Sequence, residues 1–147
     1  MKFFLHILIF SLCAFTPPRT IEPKVNIDFS TYYDYEEMGE VLVELTNAYP
    51  NLLTLDVMGK SREGRDIWIV TVNNPSTGEH SSKPAMYIDA NTHGNEIQGS
   101  EIAIFTIYYL VTRFNKDEWV TELLNDYSFY IAPTVNPDSR HRFFHEP

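Results

Sequence analysis

The chain has 147 residues and a formal net charge of −9 at pH 7, with 20 Asp and Glu against 11 Lys and Arg. No cluster of basic residues interrupts this acidic background, so nucleic-acid binding is disfavoured. Cys13 is the only cysteine, which excludes a disulfide framework and a cysteine-based metal site. The length and a hydrophobic content of 44% suit a single globular domain.

The first residues have the pattern of a secretory signal peptide. A positive charge at Lys2 precedes an apolar run over residues 3–12, which is too short to span a bilayer. Cys13 and Ala14 are small residues that suit signal-peptidase cleavage. We therefore predict a signal peptide over residues 1–16 and a secreted or periplasmic protein. A membrane anchor is the less favoured alternative, and no stable anchor is expected.

The next elements in the chain are a lead-in, a helix and a hairpin. Residues 17–30 are predicted to be an exposed lead-in to a domain over residues 31–147. Apolar residues at helical spacing predict a helix over residues 35–48. Residues 52–58 and 66–72 alternate in the manner of strands, and the glycine-bearing loop between them predicts a β-hairpin.

The second half of the chain alternates strands with helices. Strands are predicted over residues 85–89 and 127–132, and helices over 97–114 and 117–125. The first of these helices is apolar nearly all round and is expected to be largely buried. A helix between two strands is a right-handed crossover, so the two strands should be adjacent and parallel. The predicted fold class is α/β, with a mixed, mostly parallel sheet flanked by helices.

The loop after strand 85–89 holds the residues that carry the clearest chemistry. His93 and Glu96 lie three residues apart in this loop, where an imidazole nitrogen and a carboxylate can turn toward one point. The carboxyl ends of strands in open α/β sheets are where ligands collect, and zinc binds such nitrogen and oxygen atoms at about 2.0–2.2 Å. The alternative is a loop histidine beside a glutamate that favours the helix dipole.

Four stretches of the sequence, in this order, resemble the N-terminal part of the zinc carboxypeptidase family typified by carboxypeptidases A and B. They are the helix start at Tyr32–Met38, the loop Gly59-Lys60-Ser61 to Glu63-Gly64-Arg65 with Ile67-Trp68, the loop Asp89 to Glu96, and Val135-Asn136-Pro137-Asp138. The hairpin loop and the His93 loop together are fairly specific for this family.

The resemblance implies that His93 and Glu96 are the first two ligands of a catalytic Zn²⁺. In that family a later histidine completes the metal site and a later glutamate is the general base. We expect both beyond Pro147, so no catalytic residue is assigned within this chain, which would be a truncated carboxypeptidase. We further expect His93 to have an acceptor on its other ring nitrogen.

Two positions depart from the family pattern, and both leave the substrate preference open. Asn95 stands where the pancreatic enzymes carry a substrate-binding arginine, and Ser139 stands where glycine is usual. The tail, residues 140–146, is predicted to be an exposed basic segment. The alternatives are that His141 or His145 supplies a third zinc ligand, or that Arg140 or Arg142 faces a carboxylate.

Three functions are compatible with these features. The first is a zinc carboxypeptidase that acts on the carboxyl ends of peptides or on peptidoglycan stem peptides. The second is an amide-cleaving deacylase of the succinylglutamate desuccinylase and aspartoacylase kind, which shares His-Gly-Asn-Glu. The third is a non-catalytic fragment with the carboxypeptidase fold. The loop over residues 59–65 favours the first.

Overall fold

The computed structural model describes residues 21–146, which form four strands and four α-helices around one sheet. The signal peptide predicted for residues 1–16 lies outside the described residues. The strands are β1 (Leu53–Lys60), β2 (Asp66–Val72), β3 (Ala85–Asp89) and β4 (Ser128–Ala132). The helices are α1 (Tyr35–Ala48), α2 (Ile97–Arg113), α3 (Glu118–Asp126) and α4 (Pro137–His145).

The sheet has the strand order β1-β2-β4-β3. The predicted hairpin is present, because β1 and β2 pair antiparallel. The predicted parallel pairing of β3 with β4 is also confirmed, with Ala85 opposite Ser128 and Asp89 opposite Ala132. The sheet is mixed as predicted, but its parallel majority is not found in the described strands. The reason is that β2 pairs antiparallel with β4, so only one of the three pairings is parallel.

Local sequence explains where the first helix begins. Asp34 is the N-cap of α1 and accepts a hydrogen bond from the Glu37 N–H at 2.8 Å. The Glu37 carboxylate in turn accepts one from the Asp34 N–H at 2.9 Å. This reciprocal capping box satisfies two backbone donors that a helix end otherwise leaves free. The start of α1 is therefore rigidly defined.

The hydrophobic core lies between the sheet and helices α1, α2 and α3. Its fully buried members include Met38, Leu42, Ile104, Leu124 and Ile131. Most described residues of the lead-in are exposed as predicted, but Val25 and Ile27 are only 6% and 7% exposed and belong to this core. The alternation of apolar and polar residues there lets one side of an extended segment face the core.

Helix α2 is less buried than its composition predicts. Ile102 is 66% exposed and Phe105 is 47% exposed, on a face with only partial cover from Phe29. On the neighbouring edge strand β3, Met86 and Tyr87 are also exposed. The sheet and the described helices cover the other face of α2, which is the one that holds Ile104 and Ile107. Within residues 21–146, no helix is long and apolar enough to cross a membrane.

Candidate metal centre

The candidate metal centre lies at the carboxyl ends of the parallel strands β3 and β4. The two loops that follow these strands are joined by backbone hydrogen bonds: Ala90 N–H donates to Ala132 O at 3.1 Å, and Val135 N–H donates to Ala90 O at 3.1 Å. Parallel pairing thus brings the loop with His93 beside the loop with Asn136. This is the edge of an open α/β sheet where ligands bind.

The two predicted ligand side chains do come together. The Nδ1 atom of His93 lies 3.0 Å from Oε1 of Glu96. Glu96 occupies the N-cap position of α2, but its side chain makes no capping hydrogen bond. Its side chain contacts the imidazole instead, an arrangement compatible both with a pair of metal ligands and with a glutamate that favours the helix dipole. The hydrogen bond with His93 lowers the pKa of Glu96, which keeps its carboxylate ionised.

The pair fits zinc in both chemistry and spacing. Imidazole nitrogen and carboxylate oxygen are zinc ligands, and two such atoms on a tetrahedral ion are about 3.3 Å apart. The observed separation of 3.0 Å is close to that value. The side chains are 74% and 56% exposed, so an ion and its water ligands can reach them.

The orientation of His93 differs from one expectation. No described residue accepts a hydrogen bond from its other ring nitrogen, Nε2, because the ring stands on an exposed loop. The loop itself is held through its backbone instead. Asn91 donates from Nδ2 to the carbonyl oxygen of His93 at 2.8 Å, and Asn91 is only 3% exposed.

Asn91 is a loop-shaping residue that sequence reasoning did not single out. It has a φ of 54°, a left-handed conformation that asparagine tolerates better than most residues. Its Oδ1 accepts a hydrogen bond from Thr134 Oγ1 at 3.2 Å and one from Arg140 at 3.4 Å. The position before Thr92-His93 thus depends on two other segments, the loop with Thr134 and helix α4 with Arg140, which no local pattern in the sequence indicates.

Gly94 allows the His93 loop to lie directly against helix α4. A Cβ atom at position 94 would be 2.6 Å from the Cβ of Ser139 and 3.0 Å from the Ser139 carbonyl oxygen. Real Cβ atoms essentially never come that close, so only glycine fits at this contact. Ser139 was noted in the sequence as a departure from the family pattern, and the structure places it against the candidate metal loop.

The tail is only in part the exposed basic segment that was predicted: Arg142 and His145 are exposed, but Arg140 is buried. Residues 137–145 form α4, whose N-cap Asn136 accepts a hydrogen bond from the Ser139 N–H at 3.2 Å. Arg140 on this helix is 0% exposed. It donates to Glu101 on α2 at 2.6 Å and to the carbonyl oxygens of Tyr33 and Ile97. The prediction missed the burial of Arg140 because a guanidinium is buried only when distant residues satisfy its donors, and these partners are not visible in the local sequence.

Burial opposes the charged forms of both Arg140 and Glu101. Burial raises the pKa of Glu101, although the hydrogen bond from Arg140 favours the ionised carboxylate. Burial also lowers the pKa of Arg140, although Glu101 favours its charged form. Arg140 thus faces a carboxylate, as one alternative for the tail proposed, but that carboxylate is Glu101 of the chain itself. Arg142 likewise contacts Glu63, but on the surface.

Asp138 joins the two sequence motifs that are far apart in the chain. Its carboxylate accepts hydrogen bonds from Ser61 Oγ at 2.6 Å, from the Glu63 N–H at 3.1 Å and from Arg65 at 2.9 Å. Burial alone would raise the pKa of Asp138, but these donors together lower it. The hairpin loop over residues 59–65 is thus hydrogen-bonded to the first turn of α4.

The tail histidines do not join His93 and Glu96. Among the described residues, the ligand atoms of His141 and His145 cluster with Glu36 at the start of α1, all within 4.8 Å of one another. This cluster does not include His93 or Glu96. A third ligand for the His93 pair from these two histidines is therefore not supported.

An open α/β sheet with a histidine–glutamate pair at the carboxyl ends of its parallel strands defines an α/β protein with a candidate metal site. The sequence model of the zinc carboxypeptidase family matches residues 38–144. The chain belongs to the zinc carboxypeptidase family. This confirms the resemblance drawn from the four motifs.

Individual relatives agree with this assignment. Human carboxypeptidase D is 34% identical over 121 residues, which are 82% of this chain and 8% of that protein. A crystal structure of carboxypeptidase A from Helicoverpa armigera superposes with a TM-score of 0.71 at 26% identity, over 86% of this chain and 30% of that one. Thrombin activatable fibrinolysis inhibitor shares the fold with a TM-score of 0.75 at 24% identity, over 86% of this chain and 31% of that one. The chain thus spans less than a third of each of these relatives.

Proposed function

We propose that this chain supplies the first two zinc ligands, His93 and Glu96, of a zinc-dependent carboxypeptidase. The observation that carries the proposal is the 3.0 Å separation of His93 Nδ1 and Glu96 Oε1 at the carboxyl ends of two parallel strands. Membership of the zinc carboxypeptidase family supports it. The proposed substrates are peptides with free carboxyl ends or peptidoglycan stem peptides.

Some residues of the chain would bind the metal, and others position the loop that carries them. When bound, zinc polarises the scissile carbonyl and lowers the pKa of a water molecule. Glu96 offers an ionised carboxylate, and His93 offers Nδ1. Asn91 fixes the backbone on which His93 stands, and Gly94 allows that backbone to rest on α4. The exposure of both ligand side chains leaves room for water and substrate.

We propose that the active enzyme needs groups outside these 147 residues. Catalytic zinc sites use three protein ligands and a water, whereas the described residues bring together only two ligands here, His93 and Glu96. The chain alone should therefore bind zinc weakly at His93 and Glu96 and should not cleave peptides. The further ligand and the general base would come from sequence beyond Pro147.

The hairpin loop favours a peptidase over the alternative deacylase. Its residues Ser61, Glu63 and Arg65 all bond to Asp138, which ties the Gly-Lys-Ser to Glu-Gly-Arg motif to the Asn-Pro-Asp motif. The two motifs that resemble the carboxypeptidases thus act as one structural unit. A non-catalytic fragment with this fold is the third candidate, and measurement of bound zinc separates it from both enzymes.

The test compares hydrolysis by the 147-residue chain with that by a version extended by the coding sequence downstream of Pro147. Substrates are a panel of peptides with free carboxyl ends, muropeptides and N-acyl amino acids, with carboxyl-amidated peptides as the matched control. We expect the extended version to release carboxyl-terminal residues and to lose that activity on His93→Ala or Glu96→Ala. Cleavage of acyl amino acids alone would support the deacylase instead.

We also propose that the protein is exported. The apolar run over residues 3–12 and the small residues after it support this. The mature protein should begin between Ala14 and Pro17 and be found outside the cytoplasm. Amino-terminal sequencing of secreted material tests this, and an intact Met1 in a cytosolic fraction would contradict it.

A further inference from the structure

A second group of metal-binding side chains lies between α1 and α4. His141 and His145 are one turn apart on α4, so their rings lie on the same face of the helix, with centroids 4.5 Å apart. Glu36 from the first turn of α1 faces them, with Oε1 at 3.4 Å from His141 Nδ1 and Oε2 at 4.0 Å from His145 Nε2. We propose that Glu36, His141 and His145 form a separate binding site for a divalent transition-metal ion.

The spacing of the three side chains suits one ion. Their ligand atoms lie within 4.8 Å of one another. Ligands on a tetrahedral zinc ion are about 3.3 Å apart, so small side-chain rotations are enough to close the site. Glu36 and His145 are 56% and 44% exposed, which gives the ion a direct path from solvent.

One nitrogen in the cluster lacks a hydrogen-bond partner, and a metal ion could take that place. Nδ1 of His141 is shielded from solvent and has no hydrogen-bond partner among the described residues. The nearby Glu36 oxygen is within ion-pair distance but is not aligned for a hydrogen bond. An unpaired buried polar atom is unfavourable. Coordination by this nitrogen would satisfy it.

The scaffold that holds the cluster is rigid. Arg140, the residue before His141, bonds to the carbonyl oxygen of Tyr33, and the next residue, Asp34, caps α1. This bond fixes the face of α4 that carries His141 and His145 against the start of α1. Because the two helices are already held together, only the three side chains lose conformational freedom when an ion binds.

The donor types select the class of metal. Two imidazoles and a carboxylate suit zinc and similar transition metals, whereas Mg²⁺ and Ca²⁺ prefer oxygen ligands alone. Asp34 adds a further negative charge, since its Oδ2 lies 3.2 Å from His145 Nε2. The nearby cation Arg142 is engaged by Glu63. The inference does not rest on the proposed peptidase, because it uses neither His93 nor Glu96.

The test is a calorimetric titration with Zn²⁺ of the full chain carrying His93→Ala, which removes the other zinc site. We expect one zinc per chain. Each of Glu36→Gln, His141→Ala and His145→Ala should lower the affinity more than about 10-fold, since the loss of even an outer-shell partner costs 10–100-fold. His80→Ala is the matched control, because His80 lies on another segment, bonded to Tyr130, and should leave the affinity unchanged.

Two results would contradict the proposed site. The first is an absence of zinc binding at millimolar Zn²⁺. The second is zinc binding that none of the three substitutions weakens. Far-ultraviolet circular dichroism checks that each variant keeps its helices. If a histidine variant unfolds, Glu36→Gln decides the matter, because this side chain is half-exposed and its replacement preserves α1.

Discussion

Arg140 on α4 donates a hydrogen bond to Glu101 on α2 across 2.6 Å, with the arginine side chain fully buried. The same guanidinium bonds to Asn91 Oδ1 and to the carbonyl oxygen of Ile97. These two residues flank the loop that carries His93 and Glu96. A buried ion pair thus connects the fold to the shape of the candidate metal loop.

Replacement of Arg140 by methionine should strongly destabilise the chain. Removal of one partner of a buried pair leaves the charge of Glu101 uncompensated, which costs about 3–5 kcal/mol. Chemical denaturation measures the free energy of unfolding. In the double variant with Glu101→Gln, part of this loss should be recovered, because the stranded charge is gone.

Arg142→Met is the matched control for this experiment. Arg142 lies on the same helix and pairs with Glu63, but its side chain is 46% exposed. An exposed ion pair contributes about 0–1 kcal/mol. Equal destabilisation by the two substitutions would contradict the role assigned to Arg140.

Asp138→Asn should change the dependence of stability on pH. The folded protein lowers the pKa of Asp138, so the ionised carboxylate stabilises the fold above its unfolded pKa of about 3.9. That contribution is lost as pH falls through the lower folded pKa. At pH 7 the variant should lose about 1.5–3 kcal/mol, since hydrogen bonds to a charged group are removed.

The difference between the two proteins should therefore shrink as the pH falls from about 4 toward the lower folded pKa of Asp138, because the unfolded chain takes up the proton first. Thermal unfolding across a pH series measures it. Asp56→Asn, on an exposed position of β1, is the control and should change stability by less than about 0.5 kcal/mol. A constant difference across the series would argue against an ionised Asp138 in the fold.

Gly94→Ala should disturb the candidate metal loop. The new Cβ would lie 2.6 Å from Ser139 Cβ, and such overpacking costs about 1–3 kcal/mol. Gly59→Ala is a control, because no atom lies within 4 Å of its added Cβ. Addition of Ser139→Gly to the first variant should restore part of the stability. No effect of Gly94→Ala would mean that the loop does not rest on α4 as described.

Periodicity predicted most of the fold because its signals are local. The spacing of apolar residues gave α1 at its observed bounds, and the right-handed crossover rule gave the parallel pairing of β3 and β4. The proximity of His93 and Glu96 also follows from a three-residue spacing. Each of these features depends on neighbours in the chain.

The features that were missed depend on distant neighbours. The burial of Arg140 requires Tyr33 and Glu101, which are 107 and 39 residues away along the chain. The antiparallel pairing of β2 with β4 joins segments separated by the strand β3 and the helices α2 and α3. Polar residues at such contacts look like surface residues until the fold brings their partners together.

Anomalous diffraction at the zinc edge, from Zn²⁺-soaked crystals of the version extended beyond Pro147, tests the central claim most directly. Because the method locates the ion, it separates the His93–Glu96 pair from the cluster of Glu36, His141 and His145. We predict an anomalous peak bonded to His93 Nδ1 and to the Glu96 carboxylate at about 2.0–2.2 Å. Zinc that occupies other positions while this pair stays free of metal would contradict the assignment of His93 and Glu96 as zinc ligands.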